Sequence, residues 1–419
     1  MMNENNKKSL PSTLRKTMNL FSKRNILFFA VLILLLAAYS CKNEYPDSIF
    51  NTNQKYNPDP VITKVFPSKA LAGIDSIWIS GNNFSPIPTE DHVFFNGEES
   101  QVLSASANQL VVKAPNVSGD SIKIQVNVKG ALLFAEWYPY KLDLAVEEYG
   151  SFGKFDDAYA IAVDLNENVY VALTGKKIVQ ITPDRERHDY ASLTVDKASG
   201  MKVGPNGDIY YLNVLQALFR VPAGGGNDEI FAILPGFAYD LDFDANGNIF
   251  CGGGGNAIYL VKLDKSVKTI KDYPDVSIKA VRVYNGYLYV AGSYNGDDPN
   301  QPLEGVWRNK ILDQEGNLGN TEIVFDFGQH FAGFNIQTLT FSADGDMYLG
   351  TNAPEAIIIV HPGNSFEPLY PGVIEAETYY VSWGNDEYLY VNRKNENPEK
   401  KKILRIKMLK NGAPYYGRK

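Results

Sequence analysis

One phrase returns six times along the later part of this chain, and it constrains the fold more than any other feature. Its clearest copy is Ala238-Tyr-Asp-Leu-Asp-Phe-Asp-Ala-Asn-Gly-Asn-Ile-Phe-Cys-Gly252. Alternating apolar residues, an Asn-Gly pair and a second alternating run read as strand, tight turn and strand. The other copies run through residues 160–172, 200–212, 280–291, 337–350 and 380–391. Most are followed by a third apolar run, at 177–181, 218–221, 258–262, 356–360 and 403–407. Such a unit cannot bury both its faces alone. Repetition at roughly forty residues meets that need by stacking unit on unit, the pattern of four-stranded propeller blades. The chain is therefore read as all-β, ending in a six-bladed β-propeller over residues 144–419, with a strand from 146–155 completing the last blade.

The rest of the chain divides into shorter pieces. Residues 61–67, 76–80, 92–96, 110–114 and 122–128 are short alternating runs. They predict some seven strands of a β-sandwich over residues 60–143, with Trp78 and Trp137 in core or interdomain packing. Residues 41–59 are polar, with Pro46 and Pro58, and read as a flexible tether. Residues 1–40 read as a signal peptide: Lys23-Arg24 precede an apolar run at 26–38 that ends in Ala37-Ala38-Tyr39-Ser40. That run falls short of the about 20 residues a membrane span needs. Met18 is an alternative start that gives a signal of ordinary length.

A formal charge of -8 leaves no electrostatic footprint for nucleic acid, so that partner class is set aside. With two cysteines, Cys41 and Cys251, no disulfide framework exists, and Cys251 within an apolar strand reads as an inert buried thiol.

Several stretches carry resemblances. Ala37-Ala38-Tyr39-Ser40-Cys41 with the polar Lys42-Asn43-Glu44 behind it resembles a bacterial lipoprotein of the Bacteroidetes type, although Tyr39 stands where a smaller residue is usual. That resemblance implies lipidation at Cys41, attachment to membrane through the lipid anchor only, and an outer-membrane address facing the cell surface, with the periplasmic face as the alternative. Pro60-Val-Ile-Thr-Lys-Val-Phe-Pro67, Gly73, Ile79-Ser-Gly81-Asn-Asn-Phe84, Val93-Phe-Phe-Asn-Gly97 and Leu110-Val-Val-Lys-Ala-Pro115 are similar to the immunoglobulin-like IPT/TIG family, which implies a spacer or interaction module. The Asn-Gly-Asn/Asp-Ile-Tyr phrase resembles NHL-type six-bladed propellers.

Antiparallel blades send the Asn-Gly turns to one face of the ring. The segments before first strands and the loops after second strands go to the other. The turns are structural on this reading, and their acidic residues lack the spacing of a calcium loop. The opposite face gathers Asp157, Tyr159, Tyr239, Asp240, Tyr294, Asn295, Asn335, Gln337, Asn352, Tyr379, Tyr380 and Arg393 as candidate ligand-binding residues. Aromatic faces cover the apolar faces of sugars, while amides, carboxylates and guanidinium groups read hydroxyl pairs. A glycan or similar polar ligand is expected there; the bland alternative is a solvated funnel lining. An insertion at 294–302 precedes Trp307, which with Tyr294 makes a second candidate platform.

No HExxH, GxSxG, P-loop or CxxC sequence occurs. No catalytic or metal residue is assigned, and any cofactor is unknown. A metal-assisted lactonase or lyase stays as an alternative that needs Asp240, His330 and Asn335 to converge. Lipoproteins of the kind resembled accompany nutrient-import systems, which implies a glycan-binding accessory role. A scaffold for an outer-membrane transporter is the third reading.

Overall fold

The computed structural model describes residues 55–418 and parts of a helical stretch within residues 25–34. Cys41, its cleavage region and most of the tether lie outside the described residues. No described helix is long and apolar enough to cross a membrane.

The first domain is a sandwich of nine strands in two sheets. One sheet orders Val61–Phe66, Ser76–Asn82, Gln109–Lys113 and Val102–Ser106; the other orders Lys69–Ala72, Tyr138–Leu144, Gly119–Val128, Asp91–Phe95 and Glu98–Ser100. Alternation decides which side chains enter it: Ile77 and Ile79 are buried against Val93, Phe95, Ile124 and Val126. The same alternation turns Trp78 outward, correcting the expectation that it packs inside. Trp78 is 39% exposed beside Phe66, and Trp137, 49% exposed, lies under the Lys123 ammonium.

Six sheets then form the ring. Their innermost strands are Ala158–Val163, Gly200–Val203, Asp240–Phe243, Val276–Tyr284, Ile336–Phe341 and Thr378–Trp383. Each packs against the next, and the sixth returns to the first. These strands and their neighbours are buried on both faces between blades, which is why they read as near-continuous apolar runs. The closing strand is Val146–Glu148, paired antiparallel with Lys402–Lys407, so blade six is built from both ends of the propeller sequence. Glu147 locks that seam, accepting from Arg405 Nε at 2.6 Å and from Arg185 Nη2 at 2.7 Å.

The turns at the lower face are held by their own acids. Asp164 Oδ1 accepts the amides of Asn166 and Asn168, each at 2.9 Å. Asp244 does the same for Asn246 and Asn248. Those carboxylates serve the loop backbone, and Asn285 (φ 46°) with Gly286 (φ 76°) takes the left-handed geometry that suits Asn-Gly hairpins.

A feature with no counterpart in the repeat closes this face. Residues 408–418 run back beneath the ring. Ala413 N donates to Phe341 O (2.8 Å), and Arg418 donates to Val163 O (3.2 Å) and Trp383 O (3.0 Å). Gly412 lies on the Trp383 indole so closely that a Cβ would stand 2.2 Å from the ring. Tyr415 rises into the channel, its hydroxyl accepting from Trp383 N at 3.3 Å and paired with Thr340 Oγ1 at 3.2 Å.

Candidate functional site

The upper mouth of the ring is shaped by β-bulges. In blade six Thr378 pairs with Arg393 and Tyr380 with Asn392, leaving Tyr379 as an extra residue. The same slip displaces Lys279 in blade four and Gln337 in blade five, and in blade one it falls between Ala158 and Ile161, around Tyr159. In blades two and three the corresponding positions, Ser199 and Tyr239, just precede the strand. A bulged residue leaves the ladder and is re-aimed, a device common beside binding sites. The mouth is therefore ringed by Tyr159, Ser199, Tyr239, Lys279, Gln337 and Tyr379.

Three of these bridge the opening. Tyr239 and Tyr379, from opposite blades, share a hydroxyl–hydroxyl hydrogen bond of 2.9 Å. Tyr159 meets Tyr379 edge to face, with centroids 5.9 Å apart. Lys279 Nζ sits 4.3 Å from the Tyr239 ring centroid and 5.8 Å from that of Tyr379. Lys394 Nζ lies 4.0 Å from the Tyr159 centroid and donates to Asp157 Oδ1 at 2.6 Å, while the Tyr159 hydroxyl donates to Asp157 Oδ2 at 2.9 Å. Burial pushes the Asp157 carboxyl up, but the Lys394 hydrogen bond and charge outweigh it and hold it below its ordinary value. Burial first, and then its neighbour Tyr239, raise the Tyr379 hydroxyl well above the usual tyrosine range. Burial and the adjoining Asp157 likewise raise the Tyr159 hydroxyl, so Tyr159 and Tyr379 are neutral hydrogen-bonding rings at physiological pH.

Below the mouth the channel is packed with charge. Tyr380 and Asp240 are each 4% exposed. The Tyr380 hydroxyl donates to Asp240 Oδ1 (3.1 Å) and accepts from Lys202 Nζ (3.1 Å) and Met201 N (3.2 Å); Val281 N donates to Asp240 Oδ2 (3.1 Å). Ala160, Gly200 and Ala280 occupy the equivalent strand positions, and a Cβ on Gly200 would stand 2.6 Å from Asp240 Oδ1, so small residues make the room these two fill. One turn of the alternation deeper, Arg282 Nη1 and Asp242 Oδ2 form a fully buried ion pair of 2.5 Å, and the guanidinium lies 3.9 Å over the Tyr415 ring. Burial opposes the charge on Lys202, but Tyr380, Tyr415, Asp240 and Asp242 together raise its pKa. Burial raises the Asp240 carboxyl.

The candidate residues thus fall into separate places. Asp157, Tyr159, Tyr239, Gln337 and Tyr379 stand at the mouth. Asp240 and Tyr380 lie one layer beneath, their polar atoms bonded to one another and to Lys202, so they support the mouth and are removed from the ligand-facing set. Asn335 and Asn352 bond to each other, Asn335 N donating to Asn352 Oδ1 at 2.7 Å, with Asn335 Nδ2 donating to Glu304 Oε2 at 3.1 Å. Arg393 turns away, donating to Lys400 O at 2.8 Å. Tyr294 lines a lateral cleft of about 460 Å³ with Tyr273, Asp298, Gln301 and Trp307, between the outer edges of blades three and four. Trp307 is blade packing, with its indole N–H donating to Gln301 Oε1 at 3.0 Å. Asn295 Nδ2 donates to Ser277 Oγ at 3.1 Å, tying the insertion to the start of the innermost strand of blade four.

The lactonase or lyase cluster does not assemble. His330 stacks with Phe325 and Phe366 on the outer edges of blades four and five, while Asp240 is in the channel and Asn335 bonds to Glu304. Among the described residues, no group of three or more His, Cys, Asp or Glu is placed to hold a metal. Cys251 is buried, and burial pushes its thiol up, away from the reactive thiolate.

Lys279 at the mouth and Lys202, Asp242 and Arg282 in the channel beneath it are overlooked by the sequence reading. Lys279 stands just before the run read as a strand. The other three carry a visible signal: a charged residue at the same place in three successive copies, Met201-Lys202-Val203, Leu241-Asp242-Phe243 and Val281-Arg282-Val283.

No curated protein matches the chain in sequence. Among solved structures it is similar to an auxiliary nutrient binding protein from Bacteroides thetaiotaomicron VPI-5482, at 12% identity and TM-score 0.51, covering 84% of this chain and 98% of that one. A putative phosphatase from the same organism gives TM-score 0.57 at 12% identity, over 84% and 97% of the two chains. An auxiliary nutrient binding protein from Bacteroides ovatus ATCC 8483 gives TM-score 0.47 at 12% identity, over 83% and 97%. At such identity the likeness is one of fold. Residues 60–140 match the IPT/TIG domain family, so the chain carries an IPT/TIG domain ahead of its six-bladed propeller.

Proposed function

We propose that this protein is a ligand-binding accessory of a nutrient-uptake system, lipid-anchored through Cys41 at the outer membrane and facing the cell surface, and that its propeller mouth binds a glycan. The observation that carries this reading is the mouth itself: three tyrosines from blades one, three and six, re-aimed by bulges or strand starts and fixed by hydroxyl and cation–π contacts. Rings held in place lose little freedom when a sugar stacks on them, and the neighbouring Gln337 and Asp157 offer the donor and acceptor groups that hydroxyl pairs need. The fold shared with a nutrient binding protein of Bacteroides supports the accessory role. An outer-membrane transporter is the partner such a role requires, and the IPT/TIG domain is the spacer that would present the mouth to it.

The test is a glycan array probed with the chain from Asn43 onward, followed by calorimetry on any hit. Tyr239→Ala or Tyr379→Ala should weaken binding roughly tenfold or more. An array without hits, or hits unaffected by both substitutions, overturns the reading. Radiolabelled fatty acid incorporated by the full chain and lost in Cys41→Ser tests the anchor separately.

A further inference from the structure

The mouth holds two lysines in different circumstances. Lys394 is neutralised locally by Asp157 at 2.6 Å, with Lys401 3.6 Å from the same carboxylate. Lys279, half-buried on its bulge, meets ring faces where Lys394 meets a carboxylate: those of Tyr239 and Tyr379. Among the described residues no carboxylate stands within ion-pair distance of it. Glu304 senses its charge, but the Glu304 oxygens are taken by Ile336 N (2.7 Å), Asn335 Nδ2 (3.1 Å) and Ser293 Oγ (2.5 Å). Ring faces only partly replace the water a half-buried ammonium gives up. The bulge, moreover, sets Lys279 beside the two rings on which a sugar would stack.

We propose that the mouth selects an acidic glycan, with Lys279 pairing to its anionic group while Tyr239 and Tyr379 cover the ring that bears it. This inference rests on the reading of the mouth as a glycan site. The anionic group is a uronic-acid carboxylate or a sulfate ester, which share the same demand for a cation with free hydrogen-bond donors. Because the whole chain carries a charge of -8, long-range attraction does not favour an anionic ligand, and selectivity has to come from this short-range contact.

The experiment is an array of matched neutral, uronic-acid and sulfated oligosaccharides, with dissociation constants for the hits measured for the wild-type chain, Lys279→Gln and Tyr239→Ala. The expected result is binding of acidic members, weakened about tenfold or more by Lys279→Gln. Any neutral hit should be unchanged by Lys279→Gln yet weakened by Tyr239→Ala. The wild-type affinity for acidic members should also fall as salt is raised. A uronate ligand loses affinity when protonated at low pH and a sulfated one does not, which separates the two sources. Equal binding of neutral and acidic members, with Lys279→Gln silent and Tyr239→Ala damaging, overturns the acidic preference and leaves the glycan site standing. Absence of all glycan binding removes the site and this inference with it. A cooperative melting transition well above the assay temperature in both variants shows that neither effect is misfolding.

Discussion

Changing Asp242 to Asn tests how the channel is held. The carboxylate and the Arg282 guanidinium are 1% and 0% exposed and 2.5 Å apart. At an effective dielectric of about 20 that separation is worth roughly 7 kcal/mol of attraction, most of it offset by the cost of taking both ions out of water. The intact pair therefore adds little net stability, whereas breaking it leaves a charge buried without its counter-ion. Arg282 would keep Val283 O at 2.7 Å and Pro414 O at 3.0 Å, neutral acceptors that do not cancel a full charge. Asp242→Asn should cost about 3–5 kcal/mol, and Arg282→Met a similar amount because it strands Asp242. Changing both together should cost well under the sum, since no ion is left unpaired. For a domain of this size, the single changes lower Tm by roughly 6–15 °C. Urea unfolding followed by tryptophan fluorescence is the assay, with the buried Trp307 and Trp383 reporting on the propeller. A single-variant loss below about 1 kcal/mol, or strict additivity in the double variant, would refute the argument that Asp242 neutralises Arg282.

Gly412→Ala forces a Cβ into the Trp383 indole and should destabilise the propeller by about 1–3 kcal/mol, seen as a lower urea midpoint with an altered Trp383 signal. Tyr239→Phe removes only the bond to the Tyr379 hydroxyl, so stability should fall by about 0.5–1.5 kcal/mol while a ligand that stacks on the ring keeps most of its affinity by calorimetry. His361 is hydrogen-bonded to Asp346 at 2.8 Å, and that bond, followed by the carboxylate's charge, raises it above its ordinary 6.5. Because the folded value is the higher one, this contribution is complete below the ordinary value and fades as pH rises through the elevated one. The drop in Tm between about pH 6 and about pH 9 should therefore be smaller in His361→Asn than in the wild type.

The fold was open to reading because its evidence is periodic. A hairpin phrase returning at near-constant spacing needs only the rule that both faces be buried, and the observed innermost strands coincide with the copies of that phrase. The sandwich was legible through alternation, and the same alternation applied residue by residue would have turned Trp78 outward between Ile77 and Ile79. The site was legible only to the level of a face. Topology says from which end of the ring a loop leaves, and nothing about whether it then leans inward, as Asp157 does, or outward, as Tyr294 and Arg393 do. A bulge adds one residue without changing the apolar pattern on either side, so Lys279 sat beyond the recognised strand. Asp240 and Tyr380, read as preceding their strands at the mouth, lie within them one layer lower, because the small Ala160, Gly200 and Ala280 that let them fill the channel attract no notice singly. The 408–418 segment belongs to no repeat, and what holds it, Gly412 on an indole and Tyr415 among cations, is set by partners far away in sequence.

That closing segment gives the ring a floor. With Tyr415 filling the channel from below, nothing can be threaded from one side to the other, and a ligand bound as proposed would leave by the door it entered. Loading and release would then share a single opening, and a transporter of the kind proposed, seated over that rim, would govern both steps at once.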